Sequence, residues 1–533
     1  MTDIAAPEIE TPASASLPRE DAQQTRHPRI AAYSGPAGGW GALKSVGQHV
    51  SHSRAPWKSV RSLLKANQDK GFDCPGCAWG DPEHGSSFEF CENGAKAVAW
   101  EVTAKRVTPR FFAQHTVTEL LGWDDFMLED QGRLTEPMRY DAASDRYTPI
   151  SWDAAFELVA EHLSALTSPD EALFYTSGRA SNEAAYLYQL FVRLFGTNNF
   201  PDCSNMCHEA SGVGMKASLG VGKGTVLLED FEHADAIFVF GQNPGTNHPR
   251  MLGDLRRASR RGARIVSFNP LRERGLERFA DPQSPLEMMT LSSQPISHRY
   301  YQPRMGGDMA AVRGMAKALF AMEARGEFTR AASFIEAHTR GVEAWQALVE
   351  ATEWATLEDQ SGLTRAQLEE AAAIFASADN VICTWAMGIT QHLHAVESVR
   401  EIVNLLLLGG HFGRPGAGAC PVRGHSNVQG DRTMGIDEKA PAWLIEALEA
   451  RYGVSMPRAQ GYNTVESLAA LEQGKAKTFI ALGGNFTRAT PDSERTEAAM
   501  RNLELNVQIS TKLNRSHLVM GKQTDALILP CLG

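Results

Sequence analysis

The sequence has few cysteines, more acidic than basic residues, and no long apolar run. Eight cysteines in 533 residues are too few for a disulfide framework of the kind found in small secreted proteins. A formal net charge of -11 is the opposite of the basic footprint that nucleic-acid binding requires. No stretch reaches the ~18 apolar residues of a membrane-spanning helix. These absences argue against a nucleic-acid partner and against membrane insertion.

The beginning of the chain also lacks targeting signals. Residues 1–40 are rich in Ala, Pro, Ser and Glu. They have neither the basic start and apolar centre of a signal peptide nor a twin arginine. A stretch of this composition buries too little apolar surface to fold alone. We therefore predict a disordered tail over residues 1–40 of a cytoplasmic protein.

From about residue 151 onward, short apolar runs alternate with helical periodicity. A chain of 533 residues exceeds what one hydrophobic core supports, so several domains are expected. Alternation of this kind predicts a multidomain α/β fold with parallel sheets flanked by helices. The predicted strands are 172–176, 236–240, 264–268, 381–385, 479–482 and 526–529. The predicted helices are 184–194, 251–259, 309–322, 365–375, 395–408 and 442–450.

Three cysteines stand close together in a loop that is rich in Gly and Pro. Cys74 and Cys77 have the Cys-x-x-Cys spacing, and Cys91 follows them. In a reducing compartment this pattern predicts metal or redox chemistry. Zinc would take a fourth ligand, which His84 or Asp81 could supply, whereas an iron–sulfur cluster usually takes four thiolates. These residues therefore allow three alternatives: a zinc site, an iron–sulfur cluster, or a turn whose thiols bind no metal.

Another cysteine, Cys207, is followed directly by His208. A thiolate is a soft ligand that suits a transition metal, and a histidine can move a proton near neutral pH. Taken alone, the pair is explained more simply by a buried thiol and a hydrogen-bonded histidine. The motifs around the pair favour the functional interpretation.

Several predicted strands end in turns rich in Gly and Asn. These turns are 178–182, 241–248, 269–272 and 483–485. Open α/β sheets bind ligands at the ends of their strands, and glycine lets the backbone approach a phosphate closely. Four such turns predict a large phosphate-bearing ligand that spans two sheets. We expect the strands before Gly178, Gly241 and Asn269 to share one sheet, and the strand before Gly483 to belong to another.

Longer motifs resemble a known family. The segments Trp385-Ala-Met-Gly-Ile-Thr-Gln391, Gly409 to Gly416 and Cys420 to Gly430 are similar to the W-x-M-G-x-x-Q, G-x-P-G-x-G and P-V-R-G-x-x-N-V-Q-G signature of the molybdopterin oxidoreductases. Within that family the chain resembles the formate-dehydrogenase-like branch, usually called FdhF/YdeP. The match runs from about Phe72 to the last residue.

The resemblance implies a cofactor and the residues that hold it. The cofactor would be molybdenum, or tungsten, held by bis(molybdopterin guanine dinucleotide). Cys207 matches the molybdenum ligand, His208 the proton-transfer histidine, and Arg423 the arginine that faces an anionic substrate, with His425 beside it. The residues that match cofactor-binding positions are Asn182, Gly241, Asn243, Pro244, Thr246, His248, Asn269, Arg272, Met387, Gly388, Gln391, Gly424, Gly483, Asn485 and Thr511.

The family also implies an electron path and a domain plan. A small-molecule substrate would give two electrons to the metal, and a [4Fe–4S] cluster bound by Cys74, Cys77 and Cys91 would pass them to an electron-transfer partner subunit. The domain plan is a small iron–sulfur domain at 41–107, a discontinuous α/β domain at 108–202 and 426–533, and a second α/β domain at 203–425. Each α/β domain would hold one guanosine.

The chain departs from the family at four positions. Asp81 occupies the third cysteine slot, which leaves the fourth cluster ligand as Asp81, His84 or none. Asn93 replaces a lysine that bridges cluster and pterin, and Lys96 is the nearest substitute. His425 replaces a glutamine and Asn205 replaces an arginine. We therefore expect a substrate other than formate.

At its end the chain resembles a strand that normally lies well inside the subunit, so we expect a C-terminally truncated chain without the β-barrel domain that caps the cofactor. Two other functions compete with the oxidoreductase. One is a non-catalytic fragment that binds partner subunits or pterin. The other is a zinc hydrolase built on the three clustered cysteines and His84.

Overall fold

The apolar runs of the sequence form the inner strands of two sheets. The computed structural model describes residues 33–83 and 85–533. Most of the predicted tail, and the candidate ligand His84, lie outside the described residues. In chain order the strands are β1 (Ala37–Gly38), β2 (Arg106–Val107), β3 (Arg133–Leu134), β4 (Met138–Asp141), β5 (Arg146–Pro149), β6 (Ala172–Thr176), β7 (Ala236–Phe240), β8 (Arg264–Phe268), β9 (Arg278–Ala280), β10 (Gln294–Pro295), β11 (Arg299–Tyr301), β12 (Val381–Trp385), β13 (Gly418–Pro421), β14 (Thr478–Leu482), β15 (Leu505–Ser510) and β16 (Asp525–Pro530).

Helices connect these strands and cover their faces. In chain order they are α1 (Gly39–His52), α2 (Pro56–Leu63), α3 (Glu92–Glu101), α4 (Pro109–Gln114), α5 (Val117–Leu121), α6 (Asp125–Asp130), α7 (Trp152–Ala165), α8 (Asn182–Phe195), α9 (Cys203–Cys207), α10 (Glu209–Leu219), α11 (Pro244–Asn247), α12 (Met251–Arg261), α13 (Arg274–Glu277), α14 (Pro285–Thr290), α15 (Asp308–Ala324), α16 (Ala332–His338), α17 (Val342–Ala351), α18 (Trp354–Ser361), α19 (Arg365–Ala376), α20 (Met387–Thr390), α21 (Ala395–Leu408), α22 (Val428–Thr433), α23 (Ala442–Tyr452), α24 (Thr464–Glu472), α25 (Phe486–Ala489) and α26 (Ser493–Met500).

The first large sheet is parallel throughout, in the order β11-β8-β7-β12-β13. All five residues of β7 are buried, and they alternate between two cores. Phe238 and Phe240 pack with the helices α15, α19 and α21 on one face. Ile237 and Val239 pack with α12 on the other face. Helices on both faces explain why this strand is one continuous apolar run.

The second large sheet has the order β5-β4-β16-β15-β14-β6. Strands β6, β14, β15 and β16 are parallel, and the β4–β5 hairpin continues the sheet in the antiparallel sense. Its strands come from both sides of the chain segment that forms the first sheet. The prediction of an α/β fold with parallel sheets flanked by helices is confirmed, whereas the exact domain boundaries stay a prediction.

One expectation about the sheets is wrong. The strand before Gly178 is β6, and it pairs directly with β14, the strand before Gly483, through Thr176 and Leu482. Gly178 therefore belongs with Gly483 in the second sheet. The strands before Gly241 and Asn269 are β7 and β8 of the first sheet. Chain order misled the prediction because the second sheet takes β6 from before the first sheet and its partners from after it.

A small helical region, made of α1, α2 and α3, precedes the sheets. Its core is limited to Leu63, Ala66, Ala95 and Val98, with Val46, Val50 and Phe90 packed around them. The three clustered cysteines lie between α2 and α3 or at the start of α3. Among all described residues, no helix is both long and apolar enough to cross a membrane.

Candidate active site

Two glycines bring the ends of β7 and β12 together. The Gly388 amide donates to the Gly241 carbonyl at 3.0 Å. A Cβ atom on Gly241, whose φ is +53°, would lie 2.7 Å from the carbonyl carbon of Gly388. From β7 the chain continues to β8 on one side, and it returns later to β12 on the other side. This is a switch point in strand order, where open α/β sheets bind ligands.

Cys207 and His208 lie at the junction of α9 and α10, close to this switch point. The Asp202 side chain caps α9 by accepting from the Ser204 amide at 2.5 Å. The Thr390 hydroxyl, at the end of α20, donates to the Cys207 carbonyl at 2.7 Å. The segment that carries the thiol is therefore attached to the loop that follows β12.

The third part of the pocket is Arg423 with Gly424, which follow β13. The Arg423 guanidinium donates from Nη1 to the His208 carbonyl at 3.1 Å and from Nη2 to the Gly222 carbonyl at 3.0 Å. The Gly424 backbone approaches the Cys207 thiol so closely that a Cβ atom there would lie 3.8 Å from Sγ. His248 Nε2 donates to the Arg423 carbonyl at 2.7 Å. Residues far apart in sequence thus surround one thiol.

Burial dominates the electrostatics of the pocket. It raises the pKa of the Cys207 thiol, which the nearby Arg423 charge lowers in part. Burial, followed by Arg423, lowers the pKa of His208 to about 3. His208 is therefore neutral at pH 7, whereas the sequence predicted a histidine that titrates near neutrality. Its Nδ1 contacts the Ser211 hydroxyl at 2.9 Å.

His425 completes the pocket beside Gly178. A Cβ atom on Gly178 would lie 2.9 Å from the His425 Cβ and 2.6 Å from the Cys203 Sγ. Burial, followed by the charge of Arg179, lowers the pKa of His425 to about 4. Of the four residues predicted around the metal, Cys207, His208 and Arg423 are linked by direct contacts, and His425 follows Arg423 and the predicted cofactor-binding residue Gly424 in the chain.

The pocket contains polar atoms that the protein does not satisfy. Arg423 Nε and His425 Nδ1 are buried and have no hydrogen-bond partner among the described residues. Buried polar atoms are nearly always paired, and a polar ligand in the pocket would satisfy both. A thiol, two imidazoles and a guanidinium are groups that fit a metal centre with an anionic substrate. The residues fit the group that the sequence predicts.

The three clustered cysteines line a cavity of about 200 Å³. Cys91 caps α3 by accepting from the Gly94 amide at 3.4 Å, and the Gly76 amide donates to Cys74 Sγ at 3.4 Å. Burial raises the pKa of all three thiols, that of Cys91 to about 12. Thiolates here need a positive centre, and backbone amides directed at sulfur are typical of iron–sulfur sites.

The zinc alternative depends on His84, which lies outside the described residues. Among the residues described, no three His, Cys, Asp or Glu side chains are grouped closely enough to hold one ion. A zinc site needs its ligands about 2 Å from one point, whereas a cluster spreads its ligands over several irons. Zinc and an iron–sulfur cluster both stay predictions for this cavity.

The structure shows the contacts of the residues that depart from the family pattern. Asp81 lines the cavity and accepts from Arg250 Nη1 at 2.8 Å. Asn93 also lines it and donates to the Thr246 carbonyl. The Lys96 ammonium lies over the Trp100 ring, 5.2 Å from its centre, and not on the cavity wall. Asn205 accepts from the Thr464 amide at 3.1 Å, which is a structural contact.

The predicted cofactor-binding residues lie at the ends of both sheets. After β7, Asn243 donates to Glu273 at 2.7 Å, and after β8, Asn269 donates to the Gln242 carbonyl at 3.1 Å. After β14, Asn485 accepts from the Ser516 hydroxyl at 3.2 Å. Asn182 at the start of α8 accepts from Asn427 at 3.0 Å. Their binding role stays a prediction.

Sequence reasoning missed three residues on the cavity wall. Ser426, Arg250 and Asn67 line it together with the cysteines. Ser426 falls inside the motif that carries Arg423, so its place between the two sites could have been expected. Arg250 and Asn67 carried no sequence signal, because their positions depend on how α12 and α2 pack.

The fold and the two sites define a class of protein, and comparison with known sequences identifies it. The sequence profile described as Molybdopterin oxidoreductase matches residues 133–517. The chain belongs to this family, which implies a molybdenum or tungsten pterin cofactor and a small-molecule substrate.

The chain is also similar to individual relatives and to one solved structure. The chain is 50% identical to Protein YdeP of Escherichia coli (strain K12) over 510 residues, which cover 95% of this chain and 67% of that protein. It is 30% identical to Formate dehydrogenase H of the same organism over 401 residues, covering 72% and 53%. The structure of Acetylene Hydratase from Pelobacter acetylenicus superposes with a TM-score of 0.58 at 18% identity, covering 77% and 56%. That last likeness concerns the fold alone.

Proposed function

We propose that this chain is the catalytic part of a formate-dehydrogenase-like oxidoreductase with a bis(molybdopterin guanine dinucleotide) cofactor and one iron–sulfur cluster. The observation that carries the proposal is the contact between Arg423 and His208, 215 residues apart, around the Cys207 thiol. It rests further on 30% identity to Formate dehydrogenase H. The chain spans about two thirds of YdeP and half of that dehydrogenase.

The protein would hold the cofactor between its two sheets. Cys207 would bind the metal, and the turns after β7, β8 and β12 would hold one guanosine. The turns after β6, β14 and β15 would hold the other, because glycines there let the backbone approach phosphate. When bound, such a cofactor accepts two electrons from a small substrate.

His208 would hold the proton that leaves the substrate. Its buried ring is neutral at pH 7 and therefore has one nitrogen without a hydrogen that can take up a proton; the partners of the ring are the Ser211 hydroxyl at Nδ1 and the Val422 backbone. Because burial and the Arg423 charge disfavour the charged ring, the proton would then pass on to water. His425, with its own free Nδ1, offers a second polar contact on the same side.

Arg423 would orient an anionic substrate. A guanidinium has five N–H groups, and two hydrogen bonds to carbonyls account for part of them. The unpartnered Nε, together with the free N–H of a terminal nitrogen, forms an edge that can hold a carboxylate or a similar oxyanion. We propose a small oxyanion other than formate, because His425 and Asn205 replace formate-dehydrogenase residues.

Cys74, Cys77 and Cys91 would bind the cluster that removes the electrons one at a time. Asp81 is the described side chain best placed to act as a fourth ligand, and it would have to leave Arg250 to do so. The Arg250 charge beside the cavity would help to hold the thiols as thiolates.

The proposal is tested by metal analysis of protein purified without oxygen from cells supplied with molybdate and tungstate. We expect molybdenum or tungsten, pterin released on acid oxidation, and about four iron atoms per chain. Zinc as the sole bound metal would contradict the proposal and favour a hydrolase. A chain without metal or pterin would favour the non-catalytic fragment.

His208→Ala then tests the role of the histidine. We expect turnover with an artificial electron acceptor to fall by about 10²–10⁴, the usual contribution of a general acid or base, with the metal content unchanged. Ser211→Ala is the matched control: it removes the contact to Nδ1 and the acceptor of Trp385 Nε1, and it leaves the His208 ring in place. Full activity of the His208→Ala protein between about pH 6 and pH 8 would show that the histidine carries no proton.

A further inference from the structure

One exposed face of the small helical region combines positive charge with apolar side chains. Trp57, Val60 and Arg61 lie on one surface of α2, the turn residues Leu64 and Lys65 follow the helix, and all five are exposed. On the opposite side of α2, Ser59 and Leu63 are buried. We call the exposed side, together with Lys58, Lys70 and Phe72, the α2 face. One side of α2 thus packs on the core, and the outer side presents both apolar side chains and cations to solvent.

The cations of the α2 face have no ion-pair partner among the described residues. Lys58, Arg61, Lys65 and Lys70 are all exposed, and Asp69 is the single acidic residue between positions 36 and 72. The whole chain has a net charge of -11. A positive patch on an acidic protein is a local field that attracts an acidic partner and speeds its association.

Apolar side chains lie between these cations. Trp57 is 88% exposed, and Val60, Leu64 and Phe72 are each more than 40% exposed. Protein interfaces place large apolar residues such as tryptophan at the centre and charges at the rim. A nucleic acid would be recognised mainly through the cations, so the apolar centre favours a protein.

The α2 face is directly connected to the three-cysteine cavity. The Phe72 amide donates to the Lys65 carbonyl at 3.1 Å, and the Asn67 amide donates to the Phe72 carbonyl at 2.8 Å. The Asn67 side chain accepts from the Cys74 amide at 2.7 Å and lines the cavity. The α2 face is therefore joined to the wall of the cavity through Asn67.

We propose that the α2 face docks a small acidic one-electron carrier protein of the ferredoxin class. This inference rests on the proposed function, because the proposed cluster would reduce the carrier. At each encounter one electron would leave the reduced cluster and reduce one oxidised carrier. Oxidation of one substrate by two electrons would then reduce two carriers.

The test measures binding of an oxidised, acidic [2Fe–2S] ferredoxin to the complete protein by calorimetry. The variant is K58E/R61E/K65E. The control is R340E/K475E/K522E, which reverses three exposed cations that form no ion pair among the described residues and gives the same net charge. We expect the first variant to bind about tenfold more weakly or worse, and the control to change affinity less than about twofold. Raising the salt from about 50 to about 200 mM should weaken wild-type binding.

Three results would overturn the proposal. The first is equal loss of affinity in both triple variants, because net charge would then explain binding. The second is no binding of ferredoxin alongside variant-sensitive binding of DNA, phosphatidylserine vesicles or a basic cytochrome c. The third is zero-length cross-linking of Lys58 or Lys65 to carboxyl groups of residues 1–32 in the presence of ferredoxin, which would make the chain's own first residues the occupant.

Binding of ferredoxin and the content of iron and pterin are measured separately. Protein that lacks iron but binds ferredoxin through the α2 face supports the docking surface and contradicts the proposed function. Protein that contains the cluster and pterin but ignores ferredoxin contradicts the docking surface alone. A Trp57→Ala variant, expected to weaken binding about tenfold as a central aromatic residue, tests the apolar centre independently of charge.

Discussion

The three-cysteine cavity takes its thiols from one stretch between Cys74 and Cys91, whereas the Cys207 pocket joins segments that are 215 residues apart. The cavity lies between the small core of α1, α2 and α3 and a larger core, against which Cys77 and Trp79 pack. The pocket rests on the ends of two sheets with large cores. A site whose ligands all come from one loop depends more on its bound group for rigidity, and a site between sheets is largely formed beforehand.

The two sites also differ in their electrostatics. At the cavity, a partly exposed loop carries the thiols, and Arg250 is paired with Asp81 and Glu89 nearby. At the pocket, the buried ionisable groups include Asp202 and Asp431 behind the Cys207 helix. We therefore expect substitutions at the cavity to act mainly by loss of bound metal. We expect substitutions at the pocket to act mainly by changing the charge of buried groups or by steric overlap.

The largest expected effect is at the cavity. Replacing Cys77 with Ala removes one of three thiolates, and we expect the iron and the broad absorption of the cluster to be lost. The small helical region should then become susceptible to proteolysis, since its core is small. The sheets should keep their unfolding midpoint. Iron analysis, visible spectra and limited proteolysis measure these outcomes.

Cys531→Ser is the matched control for Cys77→Ala. Cys531 is half-buried near the end of the chain, and the structure uses its carbonyl, which accepts from Arg133 at 2.7 Å. The control should retain iron and colour. A Cys77→Ala protein that keeps its iron would show that the cavity holds no cluster.

A smaller effect is expected from the buried carboxyl Asp431. Burial, followed by the charge of Asp202, raises the pKa of Asp431 to about 8, and its Oδ1 has no hydrogen-bond partner in the described part of the chain. The folded protein then binds a proton that the unfolded chain releases above pH 4. Stability is lost as the pH rises toward 8, by at most ~1.4 kcal/mol per pH unit for this group.

Asp431→Asn removes this dependence. We expect its advantage in free energy of unfolding over the wild type to grow between about pH 5 and pH 8 and then to level off. Urea unfolding at several pH values measures it. Asp437→Asn is the control, since that carboxyl is 30% exposed and paired with Arg432 at 3.2 Å. An advantage that shrinks as the pH rises would mean that Asp431 is charged in the folded state.

Much of the fold follows from local pattern. Four of the predicted strands, including Ala236–Phe240 and Val381–Trp385, have the observed bounds, because strands covered on both faces are continuous apolar runs. Strand β15 was not predicted, although it lies inside the second sheet. Its buried Asn506 and Gln508 bond to each other at 2.7 Å, and these polar residues interrupt the apolar run.

The site was predictable only in part. Spacing alone indicated Cys74, Cys77 and Cys91, because one loop carries them. The meeting of Cys207 with Arg423 came from motifs that resemble a family, since no local pattern reports a contact between sheets. The low pKa of His208 could not be read from the sequence, because it is caused by burial and by Arg423.

The smallest expected effect sharpens the comparison at the pocket. A Cβ atom on Gly178 would lie 2.6 Å from the Cys203 Sγ and 2.9 Å from both the His425 Cβ and the Val428 Cβ. Gly178→Ala must therefore push α9 or the segment around His425 away. We expect a loss of about 1–3 kcal/mol in free energy of unfolding, as for other overpacked cores.

Gly47→Ala is the opposite case and serves as the control. Gly47 lies inside α1 of the small helical region, with nothing within 4 Å of its Cβ position. Alanine there should stabilise the helix by about 0.5–1 kcal/mol. In metal-loaded protein, Gly178→Ala should also lower the molybdenum or tungsten content while the iron content stays unchanged, because the displaced helix carries Cys207 but touches no cavity cysteine. A Gly178→Ala protein with wild-type stability and full metal content would show that the contact between β6 and α9 yields without moving the thiol, and that the pocket is as adaptable as the cavity.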